Sequence, residues 1–112
     1  MIVSEFKDKV VQVIRWVPRG KVVSYGQVAV YIGVPRAARQ VGWTMRGLEG
    51  KIEIPWWRVV NNAGRITIKG NLYNDQALQK KLLEAEGIKV KKDKVVDFKK
   101  LFWDPSSELS ID

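Results

Sequence analysis

The chain contains no cysteine and no histidine. The first absence excludes a disulfide framework, a thiolate metal site and a thiol nucleophile. The second removes the commonest general base and the commonest transition-metal ligand. Any catalyst built here would work with Asp, Glu, Lys, Ser, Thr or Tyr alone, and neither a cofactor nor a metal is expected. Long apolar runs are missing as well. The opening MIVSEFKDKVV carries a charge every few residues, unlike a signal peptide, and no segment approaches the length needed to cross a bilayer. These absences predict a soluble domain with no membrane partner, cytoplasmic or nucleoid-associated, or nuclear in a eukaryote. At 112 residues it is long enough to bury one core unaided.

Acid is scarce relative to base. The formal net charge is +8, and the last nine residues, DPSSELSID, hold three acids and no base, so residues 1–103 carry +11. That excess suits a polyanionic partner, although a solvated, lysine-rich surface accounts for charge alone equally well. The organisation expected is one domain over residues 1–103 and an acidic, disordered tail over 104–112.

Spacing supplies the elements. Phe6, Val10, Ile14 and Val17 recur at helical intervals and predict a helix from Ser4 to Val17, broken by Pro18 and Gly20. Ser24 followed three residues later by Gln27 is a capping-box pattern that opens a short helix through Ile32. Gly33 ends it, and Pro35 can sit in the first turn of another helix through Arg46. Two short helices around a Gly-Val-Pro turn predict a helix-turn-helix. On the second helix, Ala37, Ala38, Val41 and Met45 fall on one side, and Arg36, Arg39, Gln40, Trp43 and Arg46 on the other. Three arginines and an indole on one stripe suit a nucleic-acid groove; a solvated cationic face is the other reading. Further on, RVVNNAGRITI predicts a hairpin, and Asp75–Glu86 a helix with Leu78, Leu82 and Ala85 inward and Gly87 at its end. IKVKKDKVVDF reads as two strands around a charged turn, the form of a wing. The fold class is α+β, a small winged helix-turn-helix.

Two tryptophans side by side in IPWWRVV pose the remaining question, because the chain has only five and a buried indole wants a partner for its N–H. This segment, with GKVVSYGQVAVYIG and VPRAARQVGWTMRG before it, resembles the C-terminal DNA-binding domain of the O6-alkylguanine-DNA alkyltransferases. The resemblance spans residues 5–103. Those enzymes read Pro-Cys-His-Arg-Val where this chain has PWWRV, and their cysteine takes the alkyl group from a flipped-out guanine. Trp56 at the cysteine position is the mark of the alkyltransferase-like proteins, which recognise alkylated guanine without repairing it. With no cysteine anywhere, direct alkyl transfer to a thiolate is excluded.

The resemblance implies a role for each matching residue. The helix carrying Arg39 would enter the minor groove, and Arg39 would fill the gap left by an extruded nucleotide. Tyr25 would crowd the 3′ phosphate and help rotate that nucleotide outward. Ser24, Arg36, Ala38 and Trp43 complete the expected DNA-binding set, with Ser24 first of all a helix cap. The lesion pocket would be lined by Tyr25, Met45, Trp56 and Val59, with Lys69 as a cation beside the flipped base. Met45 and Val59 read as plain core residues from periodicity, and Lys69 as a solvated lysine. Trp57 stands where the family has histidine, and Leu48 where the enzymes have an asparagine; Arg58 fits a structural anchor. The partners implied are double-stranded DNA containing O6-alkylguanine and, downstream, nucleotide excision repair proteins, with the chain acting as a monomer. A winged-helix regulator or architectural protein with no lesion preference is the alternative.

Overall fold

The computed structural model describes residues 2–48, 53–66 and 76–104. Helix α1 (Ile2–Trp16) turns Val10, Val13 and Ile14 inward, with Phe6 packed against the same cluster. Its end is set by Pro18, which cannot continue the helical hydrogen bonding. A turn closed by the Lys21 N–H on the Pro18 carbonyl, at 3.1 Å, leads to strand β1 (Val23–Ser24).

The helix-turn-helix follows at once. Ser24 caps α2 (Tyr25–Tyr31), its Oγ accepting the Gln27 N–H at 3.1 Å. At the other end Gly33, with φ +89°, donates to the Val30 carbonyl while Val34 donates to Ala29, a Schellman closure that needs the left-handed residue. The second helix, α3 (Ala38–Leu48), starts later than Pro35. The Ala37 N–H closes a turn on the Val34 carbonyl at 2.9 Å, so Pro35 supplies the fixed φ of a turn and Arg36 lies outside the helix. The two helices bury Val28 and Ala29 against Val41 and Met45.

The expected hairpin is only partly formed. A 3-10 turn (Trp56–Arg58) feeds strand β2 (Val59–Val60), which pairs in parallel with β1, Val23 opposite Val59 and Ser24 opposite Val60. Burial on both faces explains the partner: all four residues are buried, and a solvated hairpin would have exposed half of them. The Asn-Asn-Ala-Gly turn is present, with Asn61 Oδ1 accepting the N–H groups of Ala63 and Arg65 at 2.9 and 2.8 Å. Residues 67 and 68 of the proposed return strand lie outside the described residues.

Helix α4 (Gln76–Ala85) ends in a second Schellman closure at Gly87. Its inward face differs from the expected one: Gln79 and Leu83 are fully buried, Leu78 and Leu82 half-buried, and Ala85 exposed. The reason is polar. Gln79 Nε2 donates to the Trp57 and Val59 carbonyls at 3.1 and 3.0 Å, which draws that edge of the helix to the core. Strands β3 (Val90–Lys91) and β4 (Lys94–Val95) form the expected wing, turned by Lys92 and Asp93 at positive φ. A last helix, α5 (Phe98–Leu101), had no counterpart in the sequence reading. It packs so closely on the Asn61–Gly64 turn that a Cβ at Gly64 would stand 2.7 Å from the Phe98 ring. No helix among the described residues is long and apolar enough to cross a membrane.

Candidate nucleic-acid interface

The Trp56–Arg58 turn is held from both sides. Trp56 is 1% exposed and meets Trp57 edge to face, ring centroids 5.9 Å apart. A buried indole removes about 150–250 Å² from water, roughly 4–6 kcal/mol by area, so Trp56 is first a core residue. The Trp57 N–H finds its partner in Glu86 Oε2 at 2.7 Å. Arg58 shares that carboxylate, with Nη2 2.7 Å from Oε2 and Nε 3.1 Å from Oε1, and its Nη1 donates to the Val17 carbonyl at 2.7 Å. Gly20 N–H completes the set on Oε1 at 2.9 Å.

Glu86 thus ties the end of α1, the loop after it, the tryptophan turn and the end of α4 to one charge. Its side chain is 3% exposed and that of Arg58 13%. Burial pushes the carboxyl pKa up, but the donors from Arg58, Gly20 and Trp57 together win and hold it below its ordinary value. Sequence reasoning passed over Glu86 and Gln79. One signal was available for Glu86: a carboxylate at a helix C-terminus opposes the helix dipole and calls for a compensating cation.

The outward stripe of α3 is the opposite case. Arg39, Gln40 and Arg46 are exposed, Trp43 is 60% exposed, and Ala38 is half-buried at the helix start. Among the described residues no ion pair or side-chain hydrogen bond occupies Arg36, Arg39 or Arg46. Ser24 is buried, with its hydroxyl accepting the capping bond from the Gln27 N–H. Tyr25 opens α2 half-buried, its ring against the core.

The expected pocket residues divide. Met45, Trp56 and Val59 all belong to the hydrophobic core, exposed by 1% or less, and Tyr25 packs on that same cluster. Lys69 lies outside the described residues. Of the expected pocket, the described side chains therefore show core residues, with Tyr25 packed at their edge.

Residues 5–88 match the family described as the DNA-binding domain of 6-O-methylguanine DNA methyltransferase. The chain belongs to that family. Within it, the chain is 36% identical to alkyltransferase-like protein 1 of Schizosaccharomyces pombe, the match covering 94% of this chain and 100% of the relative. It is 38% identical to a DNA base-flipping protein of Vibrio parahaemolyticus, over 91% of this chain and 99% of the relative. Among solved structures it resembles an alkyltransferase-like protein of S. pombe in complex with damaged DNA containing O6-carboxymethylguanine. That likeness has a TM-score of 0.82 and 35% identity, over 91% of this chain and 97% of the other. The likeness extends over nearly the whole chain, which places it on the alkyltransferase-like branch of the methyltransferase domain family.

Proposed function

We propose that this protein recognises alkylated DNA without repairing it. It binds the duplex from the minor groove with α3, turns O6-alkylguanine out of the stack and holds it against a Trp56-bearing wall. The observation that carries this reading is the pairing of a family DNA-binding scaffold with an exposed Arg39–Trp43–Arg46 stripe and no cysteine in the chain. Its relatives, a base-flipping protein and an alkyltransferase-like protein, point the same way.

Energetics make the scheme feasible without chemistry. Turning a base out costs a few kcal/mol, and less where pairing is weakened. An O6-alkyl group removes the guanine N1 proton and crowds the pairing edge, so extrusion is cheapest at the lesion. Contact with an aromatic surface returns about 1–3 kcal/mol per base, and Arg39 entering the gap adds hydrogen bonds to the orphaned partner. In this scheme Tyr25, the first residue of α2, crowds the phosphate of the rotating nucleotide, Arg36 and Ala38 line the approach, and Ser24, buried, serves as the cap of α2. Met45 and Val59 back the wall and Lys69 is the cation proposed beside the flipped base. By resemblance the protein acts as a monomer, and its bent complex marks the lesion for nucleotide excision repair proteins.

One observation favours a second reading. Trp56 is only 1% exposed, which leaves little of its ring for a base, as in a winged-helix DNA-binding protein that has lost lesion preference. Fluorescence titration of two duplexes identical except for one O6-methylguanine, at near-physiological salt, separates the two. A preference of about tenfold, or 1.4 kcal/mol, is the expected result. Equal affinities would overturn lesion recognition and leave the general DNA-binding protein. Loss of the methyl group from the DNA during the titration would overturn the non-enzymatic reading.

A further inference from the structure

The wing concentrates charge in a way that folding alone does not account for. Lys89, Lys91, Lys92, Lys94, Lys99 and Lys100 are all exposed, with exposed Arg65 beside them, against two carboxylates, Asp93 and Asp97. Val90 and Val95 point inward at 8% and 2% exposure, and the alternation of the strands sends Lys91 and Lys94 outward.

The register is the unusual feature. Lys91 stands directly opposite Lys94, and on the other side of Lys94 an isolated antiparallel bridge places Arg65. Three cations therefore sit side by side across one surface, where like charges directly opposite are destabilising. Among the described residues no ion pair relieves them. Arg65, Lys91, Lys92 and Lys94 line one depression of about 440 Å³ with Val95 and Val96. A local conflict of this kind is what a binding surface leaves unsatisfied until its partner arrives.

Connectivity says which partner. The wing is hydrogen-bonded to the Asn61–Gly64 turn, the Val95 N–H on the Gly64 carbonyl at 2.9 Å and the Ile66 N–H on Asp93 at 2.8 Å. That turn abuts the first turn of α2, where a Cβ on Gly26 would stand 3.1 Å from Asn62 Oδ1. The wing cations thus stand on the far side of an uncharged turn, Asn61–Gly64, that itself abuts α2. A duplex seated on α2 and α3 extends past them, and its regularly spaced phosphates suit a cluster of adjacent cations on the neighbouring surface.

We propose that the Arg65–Lys91–Lys92–Lys94 face is a second duplex-DNA contact, gripping backbone phosphates outside the nucleotides covered by α3. This rests on the reading that α2 and α3 bind duplex DNA, and adds a contact indifferent to the lesion. Each phosphate neutralised contributes about 0.9 to the slope of log K against log salt.

The test compares the full chain with a K91Q/K92Q/K94Q variant and with a control of equal charge, K7Q/K80Q/K81Q, altered at exposed positions on α1 and α4. Each is titrated over a salt series with a duplex that only covers the α3 footprint and with one extended by a full helical turn on each side. The wing variant should lose the tighter binding of the longer duplex, and its salt slope should fall by about 2.7, while the control keeps the advantage. Equal changes in both variants would overturn the proposal, because the wing would then act through net charge alone. Unchanged DNA binding by the wing variant would overturn it too and point instead to an acidic protein partner. The ratio of affinities for O6-methylguanine and guanine duplexes should be the same in all three proteins. Failure of the lesion reading therefore shows in that ratio for the parent, and failure of the wing proposal shows in slope and length dependence.

Discussion

Two segments of this chain use the same residue types to opposite ends. Helix α3 carries Arg39, Trp43 and Arg46, and the turn after Pro55 carries Trp56, Trp57 and Arg58. Trp43 is 60% exposed and Trp56 1%. The α3 arginines have no described partner, whereas Arg58 is bound to Glu86 and to the Val17 carbonyl. Tryptophan and arginine are thus neither core nor interface residues by nature. What separates the two segments is the acceptor set: a buried carboxylate reaches one, and among the described residues none reaches the arginines of the other. The first segment is left available to a ligand, and the second fixes the scaffold on which that ligand is read.

The contrast breaks most sharply at Glu86. Glu86→Ala leaves the Arg58 guanidinium largely buried without its counter-charge and strips the acceptor from the Trp57 and Gly20 N–H groups. Removing one partner of a buried pair costs about 3–5 kcal/mol, a large part of a small domain's stability. Urea unfolding should show that loss in the midpoint. A change below about 1 kcal/mol, the range of a surface pair, would mean that Arg58 is not anchored by this carboxylate. The two segments would then differ in exposure only.

Arg39→Ala should give the complementary result. An exposed substitution with no partner to lose changes stability by about 0.5 kcal/mol or less. Its effect belongs to binding: loss of hydrogen bonds from a charged group inside the duplex is worth about 1.5–3 kcal/mol, or about 10- to 100-fold in affinity for O6-methylguanine DNA. Lys92→Ala is the reference, lowering affinity for damaged and normal duplex alike. Equal losses for the two variants would reduce Arg39 to an ordinary phosphate contact.

The exposed segment was the legible one. Helical periodicity separates Arg39, Gln40, Trp43 and Arg46 from Val41 and Met45, because a solvent face and a core face differ in residue type at fixed spacing. The Ser24 cap, the Gly33 and Gly87 closures and the wing follow local rules for the same reason: a single turn of chain suffices to specify them. The buried segment was not legible in this way. Glu86 lies 28 residues beyond Arg58, and no pattern within either stretch names the other. The parallel pairing of Val59 with Val23 is hidden likewise, since β-branched residues before an Asn-rich turn read as a hairpin until a remote strand claims them. Resemblance to a family supplied the proposed DNA-reading residues that periodicity left ambiguous, such as Tyr25. It did not reveal that the Trp57 N–H is bound by Glu86.

The finest division between the segments is in acid. The folded pKa of Glu86 lies below its ordinary value of 4.5, so the folded chain holds that proton less readily than the unfolded one. The stability it contributes is complete above the unfolded value and is lost as pH falls through the folded value. The effect is the smallest of the three because burial of the carboxyl opposes the donors from Arg58, Gly20 and Trp57 that depress the pKa. Urea midpoints compared between about pH 6 and pH 3, across the range where carboxylates titrate, should fall more steeply for the parent than for Glu86→Gln. Taking the difference between the two proteins cancels every other carboxylate. Arg39→Ala should follow the parent, because α3, with the sequence ARQVGWTMRGL, contains no acid to titrate. Parallel curves for parent and Glu86→Gln would mean that Arg58 and the Trp57 N–H are held equally well by a neutral side chain, so that geometry, and not charge, fixes the buried segment.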